Sequence, residues 1–63
     1  MGDVRRALLN VQDVLTGVGG DLEMMIEEEP GKNTPANRLR LKNVLAINDL
    51  LERAIKLATR ANV

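Results

Sequence analysis

Thr34–Val63 reads TPANRLRLKNVLAINDLLERAIKLATRANV. Thr34 is a good N-cap, because its hydroxyl can accept a hydrogen bond from an unpaired amide of a first helical turn. Pro35 suits the first helical position, where its missing N–H costs nothing. No Gly or Pro follows, so the stretch predicts one uninterrupted helix of about 40 Å at ~1.5 Å per residue. Its apolar face is wide. At ~100° per residue, Leu39, Leu41, Val44, Ile47, Leu50, Leu51, Ile55 and Leu57, with Ala46, Ala54, Ala58 and Ala61, spread over roughly 200° of the circumference. An ordinary surface helix needs about half that arc. Such a helix requires apolar neighbours on more than one side.

The whole chain has 63 residues, which predicts a single domain over 1–63. Domains of this size bury only ~60% of their unfolded surface and usually need a staple. With no Cys there is no disulfide, and with no His a structural zinc site has no common ligand set. Oligomerisation is the remaining remedy. No aromatic residue is present, so the core must be built from Leu, Ile, Val, Met and Ala, which suits helix-on-helix packing.

Upstream, Val4, Leu8, Val11, Leu15, Val18, Leu22 and Met25 recur at alternating steps of four and three, the seam of a heptad pattern. A first helix over about 3–29 follows. Thr16-Gly17-Val18-Gly19-Gly20 interrupts it chemically, since each Gly costs ~1 kcal/mol in a helix relative to Ala. The heptad phase passes through the glycines without a slip. One helix, bent or loosened near Gly19, is the preferred reading; a break at Gly17–Gly20 giving two shorter helices is the alternative. Gly17 and Gly20 could also admit close approach of another backbone.

Pro30, Gly31 and Asn33 are turn residues, so 30–34 is a turn and the second helix spans about 35–61. So short a connection makes the helices antiparallel neighbours. Glu27, Glu28 and Glu29 end the first helix, while Arg38, Arg40 and Lys42 begin the second. Both clusters oppose their helix dipoles, and pairing across the hairpin would offset this. The last residues, Ala61–Val63, are expected to fray.

The fold expected is therefore all-α: an antiparallel helical hairpin, paired as a homodimeric four-helix bundle. The second helix lies at its centre, and its dimer interface is read as Leu41, Val44, Ile47, Leu51 and Ile55. Arg40 and Asn43 project into the same wide face. They read either as an arginine reaching solvent or Glu28, or as polar devices that fix subunit register, with Asn48 assisting from the edge.

Catalysis is not expected. There is no His, Cys, Tyr or Ser, and none of the three Thr hydroxyls stands next to a plausible base in sequence. Gly17–Gly20 lacks the Lys and the preceding strand of a phosphate loop. Asp21, Glu23 and Glu27–Glu29 lack calcium-loop spacing. No cofactor or metal is expected. No apolar run reaches the ~20 residues of a membrane span, and the first residues lack a signal-peptide core, so a cytoplasmic, membrane-free protein is expected.

In length and plan the chain resembles the small RNA-modulating dimers built as four-helix bundles, in architecture and without a shared motif. The function read from architecture is a small non-enzymatic regulator or adaptor that self-associates and binds a partner protein through helical surfaces. Leu9, Met24, Glu27 and Glu28 are the candidate contacts for that partner. The alternative is a nucleic-acid-binding modulator, for RNA or DNA, using a basic end made of Arg5, Arg6, Arg53, Lys56 and Arg60.

Overall fold

In the computed structural model, which describes residues 1–63, helix α1 spans Asp3–Glu28 and helix α2 spans Pro35–Ala61. They pack as an antiparallel hairpin. Its Cα atoms extend 47 × 15 × 11 Å, a single layer of helices. No helix is long and apolar enough to cross a membrane.

The α2 start follows from its sequence. Thr34 is extended, with φ −100° and ψ 157°, and its side chain accepts from the Asn37 backbone N–H at 3.1 Å. Pro35 occupies the first turn. The preceding turn is closed by Lys32 N–H donating to the Glu29 carbonyl at 3.2 Å, across Pro30 and Gly31. Gly31 has φ +79°, a conformation that a Cβ would strain.

Helix α1 runs through Gly17, Gly19 and Gly20 without a break. Gly19 is buried against α2, where an added Cβ would lie 3.5 Å from Val44 Cγ1. Gly17 and Gly20 face open space, so neither serves a close backbone approach within the hairpin. Only Gly19 packs against the other helix, where a Cβ would make an ordinary van der Waals contact.

The line of contact between the helices differs from the expected one on α1. Leu8, Gln12, Leu15, Gly19, Leu22 and Ile26 form a buried and half-buried line at steps of four and three, with Leu9 and Met25 half-buried beside it. The line faces Asn37, Leu41, Val44, Asn48, Leu51, Ile55 and Ala58 of α2, at the same alternation. Leu8, Leu15 and Leu22 belong to both the expected and the observed lines. Val4, Val11 and Val18 do not, and they remain exposed. Turning α1 toward Gly19 brings its backbone close to Val44 and moves the valines aside. The shared 3.5-residue period matches a shallow left-handed crossing.

The chain ends are tied together. Val63 carbonyl oxygen accepts from the N–H groups of Val4 at 2.6 Å and Arg5 at 3.4 Å, two first-turn donors that lack helical partners. Asn62 adopts the left-handed conformation at φ 57°, and Val63 N–H returns to the Ala58 carbonyl at 3.0 Å. In this arrangement Val63 oxygen caps α1, whose own cap position, Gly2, has no side chain to do so.

Candidate interaction surfaces

Very little of this hairpin is buried. Of 63 residues only Gly19, Asn37 and Ala58 are, and no large side chain is fully enclosed. Most of the apolar surface left exposed is gathered in lines, with Met24, Leu39 and Leu45 outside them. Each helix carries a second line beside its contact line, shifted back by one residue. On α1 it is Val4, Ala7, Val11, Val14, Val18, Asp21, Met25 and Glu28; on α2 it is Ala36, Arg40, Asn43, Ile47, Leu50, Ala54, Leu57 and Ala61. Both keep the alternation of four and three.

At ~100° per residue, each outer line lies about 100° round its helix from the contact line, in the same chain sense. The helices are right-handed and run in opposite directions, so equal offsets carry both outer lines to one side of the hairpin. The other side bears this out. Thr16, Gly20 and Glu23 of α1 and Leu45 of α2 are offset the opposite way, and together they line a groove there. A second groove on that side, nearer the turn, is lined by Ile26, Leu41, Leu45, Arg38, Lys42 and Asp49 among others. One side therefore carries a strip that is apolar toward the chain ends, and the other is grooved and mixed, with exposed Leu45 among charged residues.

The strip is graded along its length. From the chain ends to the middle it holds Val4, Val11, Val14, Val18, Ile47, Leu50 and Leu57, all exposed. Toward the turn it becomes polar, with Asp21, Glu28, Arg40 and Asn43, also exposed.

The residues singled out from sequence divide between these surfaces. Leu41, Val44, Leu51 and Ile55 pack half-buried against α1, whereas Ile47, Arg40 and Asn43 lie on the exposed strip. The reading of one wide face did not separate the two lines; it placed Val4, Val11 and Val18 in the contact seam, where they are exposed instead, and gave no special place to Leu50 and Leu57. The signal was present as a second heptad phase, one residue behind the first. Asn48 sits in the contact line, where its Oδ1 is buried with no hydrogen-bond partner.

Arg40 does not reach Glu28. Its Nη1 donates to Asn37 Oδ1 at 3.1 Å, and Arg38 Nη1 donates to Asn33 Oδ1 at 2.9 Å. The cross-helix pairing expected between the glutamates and these arginines is replaced by bonds within the turn and the first turns of α2, because those asparagines lie closer. Asn37, unnoticed in the sequence, is the centre of this network. It is buried, and its Nδ2 donates to the Lys32 carbonyl at 2.8 Å.

Leu9 is half-buried, and Met24, Glu27 and Glu28 are exposed. Met24 lies on the flank of α1 away from α2, with Asp21, Met25, Glu28 and Glu29 around it. The five basic residues of the open end are exposed but spread around it. Arg53 and Arg60 lie on the far flank of α2, Arg6 on that of α1, and Arg5 Nε is held by Thr59 Oγ1 at 3.1 Å. No three acidic side chains are gathered as a metal site. Comparison with protein families, with curated proteins and with solved structures finds no match to this chain.

Proposed function

We propose that the chain is a non-enzymatic regulator or adaptor that works as a homodimeric four-helix bundle and offers its remaining helical surfaces to a partner protein. The observation that carries this reading is the apolar strip on one side of a hairpin that is one helix thick and buries three residues. A stable domain is normally two layers deep around a shared core. A second copy supplies the missing layer. The footprint available, 47 by 15 Å between Cα extremes, is roughly 700 Å². That approaches the ~800 Å² per partner of a standard specific interface. The half of that face nearer the chain ends is apolar, and a large contiguous apolar patch on a soluble chain marks an interaction site.

With the strip covered, the grooved side and the outer flanks stay free. Met24 and Glu27 lie there, and Glu28 lies at the edge of the covered face. A partner reading an exposed methionine beside acids would combine an adaptable apolar contact with a charged rim.

The test is solution mass by size exclusion with light scattering over a concentration series, with helicity followed by circular dichroism. The expected result is a helical species of twice the 6.9 kDa chain mass. A helical monomer up to high micromolar concentration would overturn the dimer. Self-association with intact function after Met24→Glu and Glu27→Lys would overturn the assignment of the partner surface.

A further inference from the structure

Resting on the dimeric reading, we infer that the two hairpins pair with their turns at the same end, about a two-fold axis parallel to the helices. Two symmetric arrangements bring the strips face to face. With the axis along the bundle, each residue keeps its height, so α1 lies against the partner's α2. With the axis across the bundle, the turns lie at opposite ends and each helix lies against its own copy.

The grading of the strip decides between them. Within the hairpin, Gly19 meets Val44 and Arg5 meets Thr59, so residues at equal height have numbers adding to about 63–64. An axis along the bundle preserves these heights. Val11 then faces the partner's Ala54, Val14 the partner's Leu50 and Val18 the partner's Ile47. Large and small side chains alternate, as interdigitating layers require. Nearer the turn, Asp21 faces the partner's Asn43, and Glu28 lies about one turn from the partner's Arg40. At equal height Arg40 stands beside the partner's Met25 and Glu28 beside the partner's Ala36, at the turn end of the strip where both charged side chains are exposed and can reach water.

The crossed arrangement inverts heights. Val11 would be covered by the partner's Asp21 and Val4 by the partner's Glu28, while Arg40 and Asn43 would press on the partner's Leu57 and Ala54. Each contact would bury a polar group against aliphatic surface without a partner, which is costly. Asn43 and Arg40 therefore act as an end marker: they penalise the wrong orientation more than they strengthen the right one.

The experiment uses the full chain, which has no Cys of its own. Lys32, exposed in the turn, is replaced (Lys32→Cys) and spin-labelled, and the distance between the two labels of the dimer is measured by pulsed dipolar spectroscopy. Circular dichroism and light scattering on the labelled protein establish that it is folded and dimeric. Turns at one end place the labels within about 25 Å, given helix spacings of ~8–10 Å and flexible label arms. Turns at opposite ends place them near the 47 Å length of the hairpin. A short distance, repeated with Arg6→Cys at the other end, is the expected result. A distance of 40 Å or more, or comparable populations of both, in a protein shown to be dimeric overturns the orientation and leaves the dimer standing. A monomer overturns both, and frees the strip for a different protein.

Discussion

The hydroxyl of Thr34 accepts the backbone N–H of Asn37 at 3.1 Å, while the Asn37 side chain reaches back to the Lys32 carbonyl at 2.8 Å. One residue thus closes the start of α2 and the end of the turn together. Its Oδ1 also accepts from Arg40 at 3.1 Å. Because Asn37 is buried, water cannot replace these bonds. Asn37→Ala is expected to destabilise the fold by about 1–2 kcal/mol, the cost of an orphaned carbonyl and a lost polar contact. Asn37→Asp, which keeps the shape but loses the donor to Lys32, should cost a similar amount. Urea denaturation of both variants checks this, and a neutral Asn37→Asp would show that volume alone matters.

Thr34 contributes separately, as a helix cap. Thr34→Ala should cost about 1 kcal/mol, and Thr34→Ser a few tenths at most. The bond between Thr34 and Asn37 is donated by the Asn37 backbone N–H, which Asn37→Ala keeps, so the double variant should lose close to the sum of the two single losses. Thermal melts of the three variants measure the coupling.

The glycines of α1 make the opposite prediction. Nothing lies within 4 Å of a Cβ at Gly17 or Gly20, and both are helical. Alanine at either site should raise stability by up to about 1 kcal/mol. Gly19→Ala should be tolerated as well, because its nearest neighbour at 3.5 Å is an ordinary van der Waals contact. Melting curves for the three variants test this. A loss of stability from Gly17→Ala or Gly20→Ala would reveal a close contact that the hairpin alone does not contain.

The hairpin and the continuity of α1 were legible because each rests on local chemistry: the Thr34-Pro35 start, the Pro30-Gly31 turn, and an apolar phase unbroken at Val18. The facing of α1 was not. The line through Val4, Val11 and Val18 and the line through Gln12, Gly19 and Ile26 share Leu8, Leu15 and Leu22. Hydrophobicity favours the first, since Gln12 and Gly19 are poor core residues. Closeness of packing favours the second, since Gly19 admits Val44. Asn37 stayed hidden for a related reason. It occupies the third helical position after the Thr34 cap, where a Glu or Gln would announce a capping box, but its side chain bonds to a turn carbonyl instead. The candidate surface was visible only as excess apolar width, because a single wheel cannot say which part of a wide face the neighbouring helix takes.

Asn48 lies in the middle of the contact line with its Oδ1 buried and unpartnered. An unsatisfied acceptor in that position weakens the hairpin, and an apolar side chain of similar shape removes the penalty. Asn48→Leu is expected to raise stability by roughly 1 kcal/mol. Chemical denaturation at fixed protein concentration gives the comparison. A loss instead would mean that Asn48 finds a partner in the assembled protein, and its amide would then be counted among the polar groups that set register.

Leu45 and Leu50 separate the two sides of the hairpin. They are almost equally exposed, at 56% and 61%, and both stand on α2 away from its ends. Leu45 lies on the grooved side, and Leu50 lies on the apolar strip, opposite the partner's Val14 in the orientation inferred above. If exposure alone governed behaviour, a charge at either site would be harmless. If the strip is an interface, only one is. Burying a leucine contributes about 1.5–3 kcal/mol, and symmetry counts it twice per dimer. Leu50→Glu should therefore raise the dimer dissociation constant by about a hundredfold or more, with one decade per 1.4 kcal/mol. Leu45→Glu should leave it within a fewfold. Analytical ultracentrifugation of the two variants beside the parent chain reads both constants, and helicity at matched concentration shows whether each hairpin survives alone. Equal effects from the two substitutions would remove the distinction between the sides. A larger effect from Leu45→Glu would move the interface to the groove formed with Leu15 and Gly19.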